Sequence, residues 1–101
     1  MNPDLRNLVE VDRIIHEPAR LVIVAILFAV DSADFLYLLN ETNLTKGNLS
    51  SHLSKLEAAG YVTIEKTFVG KVTRTLCRLT PAGHEAFLKY REQIQAAFPA
   101  T

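Results

Sequence analysis

The chain has 101 residues, about half of them apolar, with 11 basic and 11 acidic side chains and no formal net charge. That length holds one domain around one core, and a domain so small gains stability from pairing with a second copy. The run Leu21 to Val30 is nearly all apolar but only ten residues long, too short to span a membrane, and a single cysteine, Cys77, excludes an internal disulfide framework.

In chain order, residues 2–16 read as a first helix. Leu5, Leu8, Val9, Asp12 and Ile15 follow a helical spacing, and Pro3 suits a first helical position. No basic stretch leads into an apolar one at the start, so no secretory signal is expected, and the lone thiol suits a reducing cytoplasm. Pro18 opens a second helix, to Val30, whose apolar residues surround it almost completely and mark it as the centre of the core. Asp31-Ser32 ends it. Ser32 or Asp34 can cap a short helix through Asn40, with Phe35, Leu36, Leu38 and Leu39 on its buried side.

Glu41-Thr42-Asn43 forms a polar turn, and Thr45 caps the next helix. At 100° per residue Leu49, Leu53 and Leu56 share a narrow arc, while Asn48, Ser51, His52 and Lys55 share another that faces outward. Gly60 supplies the left-handed stop. Two alternating segments follow, Tyr61 to Val69 and Val72 to Leu79, joined by Gly70-Lys71 as a two-residue hairpin turn. Thr80 caps and Pro81 opens a final helix to Phe98, with Phe87, Tyr90, Ile94 and Ala97 on one stripe. The fold class is therefore α+β, divided into an N-terminal helix (2–16), a core (18–79) and a C-terminal helix (80–98).

The zero net charge conceals a polarity. Up to Leu44 there are three basic residues (Arg6, Arg13, Arg20) against seven acidic ones (Asp4, Glu10, Asp12, Glu17, Asp31, Asp34, Glu41). From Thr45 to Arg78 there are six basic residues (Lys46, Lys55, Lys66, Lys71, Arg74, Arg78) against two acidic ones (Glu57, Glu65). The positive end of the field thus falls on the helix and hairpin.

The pattern Leu44-Thr45-x-Gly47-Asn48-Leu49-Ser50-x-His52-Leu53-x-x-Leu56-Glu57-x-x-Gly60-Tyr61-Val62, then a basic ribbon, then Leu79-Thr80-x-x-Gly83, resembles a winged helix-turn-helix DNA-binding domain. The small single-domain regulators allied to the MarR and ArsR groups are the nearest in pattern. His16-Glu17-Pro18-x-Arg20-Leu21-x-Ile23 resembles the start of their first core helix. The resemblance implies a helix in the major groove and a wing at the phosphates or the adjacent minor groove. It assigns DNA contacts to Thr45, Lys46, Asn48, Ser51 and Lys55 on the helix and to Lys66, Lys71 and Arg74 on the wing. The chemistry fits: Asn pairs with base edges, Ser with bases or phosphates, Lys neutralises phosphates, and the helix start offers free N–H groups. The competing reading is a solvated helix face and a charge-protected edge hairpin. His52 either touches DNA or, half-buried, orients the helix.

The resemblance also implies a homodimer that sets two recognition helices on successive major grooves, roughly 34 Å apart. Leu5, Leu8 and Val9 with Phe87, Tyr90, Ile94 and Phe98 are the interface candidates; the alternative is that the terminal helices fold back over their own domain. No glycine-rich phosphate loop or nucleophile–base pair is present, so an enzyme is not expected. One Cys and three scattered His give no metal site and no cofactor is implied. Double-stranded DNA and a second copy are the expected partners, with room for a small-molecule effector of unreadable identity. The alternative function is a protein–protein adaptor, since fold alone does not fix function.

Overall fold

The computed structural model describes residues 4–100. Its elements run α1 (Asn7–Glu10), α2 (Pro18–Ala29), β1 (Ala33–Asp34), α3 (Phe35–Thr42), α4 (Lys46–Ala58), β2 (Val62–Val69), β3 (Val72–Leu79) and α5 (Pro81–Ala97). One hydrophobic cluster joins the elements from α2 to α5 and the loop before α2, centred on Ile15, Ile23, Val24, Leu38, Leu49, Leu56, Val62 and Cys77, all fully buried.

The helix expected over 2–16 is corrected to the single turn of α1. Val11 is extended (φ −64°, ψ 151°) and ends it. Asp12 then bonds locally instead of continuing the helix: its Oδ1 accepts from the N–H groups of Ile14 (2.8 Å) and Ile15 (3.1 Å). Its other carboxylate oxygen accepts from the Tyr61 hydroxyl. Asp12 therefore turns the chain so that Ile15 enters the core. Pro3 and Asn2, placed in that expected helix, lie outside the described residues.

α2 starts at Pro18 with the Glu17 carboxylate capping the Ala19 N–H at 2.5 Å, and buries Ile23, Val24 and Leu27. The two-residue strand β1 was not expected from the sequence. It pairs antiparallel with β3 (Ala33 opposite Cys77, Asp34 opposite Leu76), so the sheet order is β1-β3-β2. Asp34, rather than Ser32, caps α3 by accepting from the Tyr37 N–H at 2.7 Å. α3 ends at Asn43 in the left-handed conformation (φ 58°, ψ 24°), which Asn tolerates.

Thr45 caps α4, accepting from the Asn48 N–H at 3.1 Å. At the other end Gly60 (φ 81°) donates to the Glu57 carbonyl, and Tyr61 N–H reaches back to the Leu56 carbonyl at 3.0 Å. This is a Schellman stop, which turns the chain from helix into β2. Strands β2 and β3 pair in register from Val62 opposite Leu79 to Val69 opposite Val72, closed by Gly70 at φ 63°. Positive φ at the first turn residue alone is the type II′ form.

Thr80 joins ribbon to α5. Its hydroxyl donates to the Gly60 carbonyl (2.6 Å) and accepts from the Gly83 N–H (3.0 Å). Gly83 packs so tightly on β2's start that a Cβ there would lie 2.2 Å from the Tyr61 carbonyl oxygen. α5 lays Phe87 edge-on against Phe28 of α2 (centroids 4.9 Å, 89°), and the Tyr90 hydroxyl bonds His16 Nδ1 at 2.8 Å.

Candidate nucleic-acid interface

The leucine arc fixes how α4 sits. Leu49, Leu53 and Leu56 are buried in the core, which turns Asn48, Ser51 and Lys55 to solvent on the opposite side, while Lys46 is exposed in the first turn. The Thr45 hydroxyl accepts one bond from the helix N-terminus, which leaves its own proton free to donate. An amide, a hydroxyl and a cation thus line one exposed stripe at Asn48, Ser51 and Lys55 (i, i+3 and i+7), with Lys46 exposed at the helix start.

His52 lies beside that stripe and is half-buried. Its Nδ1 is 3.1 Å from Arg20 Nη1 and 3.3 Å from Glu17 Oε2. Nδ1 accepts from the guanidinium in the tautomer that leaves it bare and donates to the carboxylate when it carries a hydrogen. Arg20 is held in turn by the Ile14 carbonyl, to which Nε donates at 2.6 Å. Burial works to raise the Glu17 pKa, but the Ala19 N–H, His52 and Arg20 outweigh it and hold the carboxyl below its ordinary value. The cluster ties the middle of α4 to the start of α2. Of the two roles open to His52, its geometry is that of a helix-orienting residue. In the sequence Glu17 and Arg20 are visible only as part of the start of α2; their contact with His52, more than thirty residues on, is not.

The ribbon's two faces differ. Val62, Ile64, Lys66 and Phe68 share one face with Leu79, Cys77, Thr75 and Thr73; Thr63, Glu65, Thr67 and Val69 share the other with Arg78, Leu76, Arg74 and Val72. The first face continues the core and then looks onto α4 across a groove bordered by Ser50, Ser54, Lys66 and Thr75. Lys66 therefore borders α4 beside Ser50 and Ser54, and Lys71 stands exposed at the tip. Arg74 is on the other face, and its Nε is 3.2 Å from Asp34 Oδ2 on β1. The structure brings Lys66 to α4 and gives Arg74 a carboxylate partner instead. Ser50 and Ser54, not singled out from the sequence, border the groove between helix and wing.

The dimer candidates divide in the same way. Phe87 and Tyr90 are buried against their own α2 and the preceding loop, and Ile94 packs on the same core. Leu5, Val9 and Phe98 are exposed, with Leu8 half-buried beside them. The stripe of α5 thus folds back, and an apolar ridge remains outside it. Cys77 is fully buried; burial first, then Asp34 and Glu57, pushes its thiol up to about 11. Among the described residues, no group of three or more His, Cys, Asp and Glu side chains gathers to hold a metal, and no helix is long and apolar enough to cross a membrane.

A family model described as a winged helix DNA-binding domain matches residues 19–98. The chain belongs to the winged-helix DNA-binding domain family. It is 35% identical over 82 residues to an uncharacterised protein of Methanocaldococcus jannaschii, covering 81% of this chain and 89% of that one. Its fold matches a transcriptional regulator homologue from Pyrococcus horikoshii at a TM-score of 0.84 and 30% identity, over 90% of this chain and 92% of that one. It also matches a MarR family transcriptional regulator of Streptomyces coelicolor, solved with DNA, at a TM-score of 0.63 and 19% identity, over 86% and 63% of the two chains. In winged-helix terms α3 and α4 are the helix-turn-helix pair, and β2–β3 is the wing.

Proposed function

We propose that this chain is a sequence-specific, double-stranded DNA-binding transcriptional regulator that acts in the cytoplasm as a dimeric repressor. The observation that carries the reading is the open surface of α4: Asn48, Ser51 and Lys55 on its outward stripe and Lys46 at its start are exposed, with no segment of the chain's own described residues laid over them, and Lys66 borders the same helix at Ser50 and Ser54. Lysines neutralise phosphates, Asn48 reads a base edge, and the α4 N-terminus suits a phosphate. The S. coelicolor regulator of the same fold, solved with DNA, supports the partner class. The ridge of Leu5, Val9 and Phe98 is the surface offered to a second copy. A dimer on an operator blocks polymerase by occupancy. Selection from a random duplex pool, followed by titration at several salt concentrations, tests the reading. A recovered consensus with affinity falling steeply with salt supports it. Absent or salt-insensitive binding selects the adaptor alternative, and sedimentation showing only monomer at micromolar concentration removes the dimer.

A further inference from the structure

The tip of the wing is apolar on both faces. Phe68 is 73% exposed on the face shared with Lys66, and Val69 and Val72, opposite one another in the ladder, are 61% and 69% exposed on the other. Scattered apolar side chains are ordinary on a protein surface, but three together at a projecting tip mark a contact. A hairpin kept soluble for its own sake would carry charge or hydroxyls at these positions. From Lys66 to Arg74 the chain carries three cations and no acidic residue.

Two features select the occupant. A ribbon that lies flat on another protein gathers its apolar residues on one face; this tip has them on both, which suits entry into a slot with two walls. Lys66 behind Phe68 and Lys71 at the apex make walls of negative charge favourable. The minor groove of a duplex is such a slot, with phosphates along its rims, sugars along its walls and base edges at its floor, between which an apolar side chain can part a stacked step. Phe68 shares its ribbon face with Lys66, so it is continuous with the α4 surface across the Ser50–Ser54 groove.

We propose that Phe68, backed by Val69 and Val72, is an apolar wedge that enters the minor groove beside the recognition helix, opens a base step and bends the duplex. This rests on the DNA-binding reading above. An apolar side chain between base pairs unstacks them, and the bend brings more of the protein against the backbone. The wedge also confers selectivity without hydrogen bonds, favouring flexible pyrimidine–purine steps under the wing.

The test uses the full chain and a duplex recovered by the selection, carrying 2-aminopurine in turn at each step under the wing and a fluorophore pair at its ends. Saturating wild-type chain should brighten one 2-aminopurine position and shorten the end-to-end distance, by a bend of roughly 20° or more. Phe68→Ala should lose both signals and bind about tenfold more weakly, as expected for losing one aromatic that binding buries. Phe68→Leu should retain part of the bend, and Lys55→Ala should weaken binding yet leave the bend intact at saturation. A straight, unbrightened duplex under tight wild-type binding overturns the wedge alone. So does a Phe68→Ala variant that bends DNA as the wild type does, or one that changes only the sedimentation of the protein. No wild-type binding to any duplex overturns the regulator reading and the wedge together.

Discussion

The recognition helix and the wing face the same surface but are held by opposite means. α4 is bolted to the core by three buried leucines, a Thr45 cap, a Schellman stop and the Glu17–Arg20–His52 cluster. The ribbon is anchored mainly at its base: Val62 is 2% exposed, yet six residues on Phe68 is almost free, and beyond the Arg74–Asp34 pair and the Thr67 hydroxyl on the Arg74 carbonyl the tip is held by backbone ladder bonds. The helix thus holds its side chains on a fixed frame, while the side chains of the wing tip pack on little of the fold.

Leu53→Ala breaks this comparison most sharply. It leaves a cavity under α4 and should cost about 2–5 kcal/mol of unfolding free energy, whereas Phe68→Ala at the tip should stay within about 0.5 kcal/mol. Chemical denaturation of both variants measures the gap; equal losses would mean that the wing is packed and not free. Gly83→Ala tests the shared anchor. Its Cβ would meet the Tyr61 carbonyl, so the ribbon base and α5 must part, at about 1–3 kcal/mol.

The central part of this plan was legible in the sequence because its signals are local. The leucine arc, the Thr45 cap, the Gly60 stop and the Gly70 turn each need only a few neighbouring residues, and helix α4 and both ribbon strands lie within a residue of where periodicity sets them. What periodicity misread depended on side chains meeting across the chain. The spacing of Leu8, Val9 and Ile15 looks helical, but Asp12 takes the backbone into a turn and reaches Tyr61, 49 residues away. Strand β1 is two residues long and exists because β3 lies beside it. Arg74 reads as a wing cation until Asp34, forty residues earlier, is found against it.

That last pairing sharpens the comparison in binding. Each lysine that meets a phosphate should lower the slope of log affinity against log salt by about 1 when replaced by Ala, so Lys46→Ala and Lys55→Ala should each flatten it by that amount. Arg74→Ala should flatten it less, because its charge already faces a carboxylate and it lies on the ribbon face away from α4.

The smallest effect concerns acid. Glu17 has a folded-state pKa below its ordinary 4.5, so the unfolded chain holds the proton more tightly. The stability it contributes is present above that value and is lost as pH falls through the depressed one. Glu17→Gln should therefore flatten the acid limb of the stability curve, read by thermal unfolding between pH 3 and 6, and leave the ribbon tip unaffected.

The central claim is that α4 and the near face of the wing form one surface for duplex DNA. Backbone amide chemical shifts followed during titration with a selected duplex test it most directly. The account predicts that the shifts cluster on residues 45–55 and 66–72, with Leu5, Val9 and Phe98 unmoved. Shifts gathered instead on Leu5, Val9 and Phe98, with α4 silent, would contradict it.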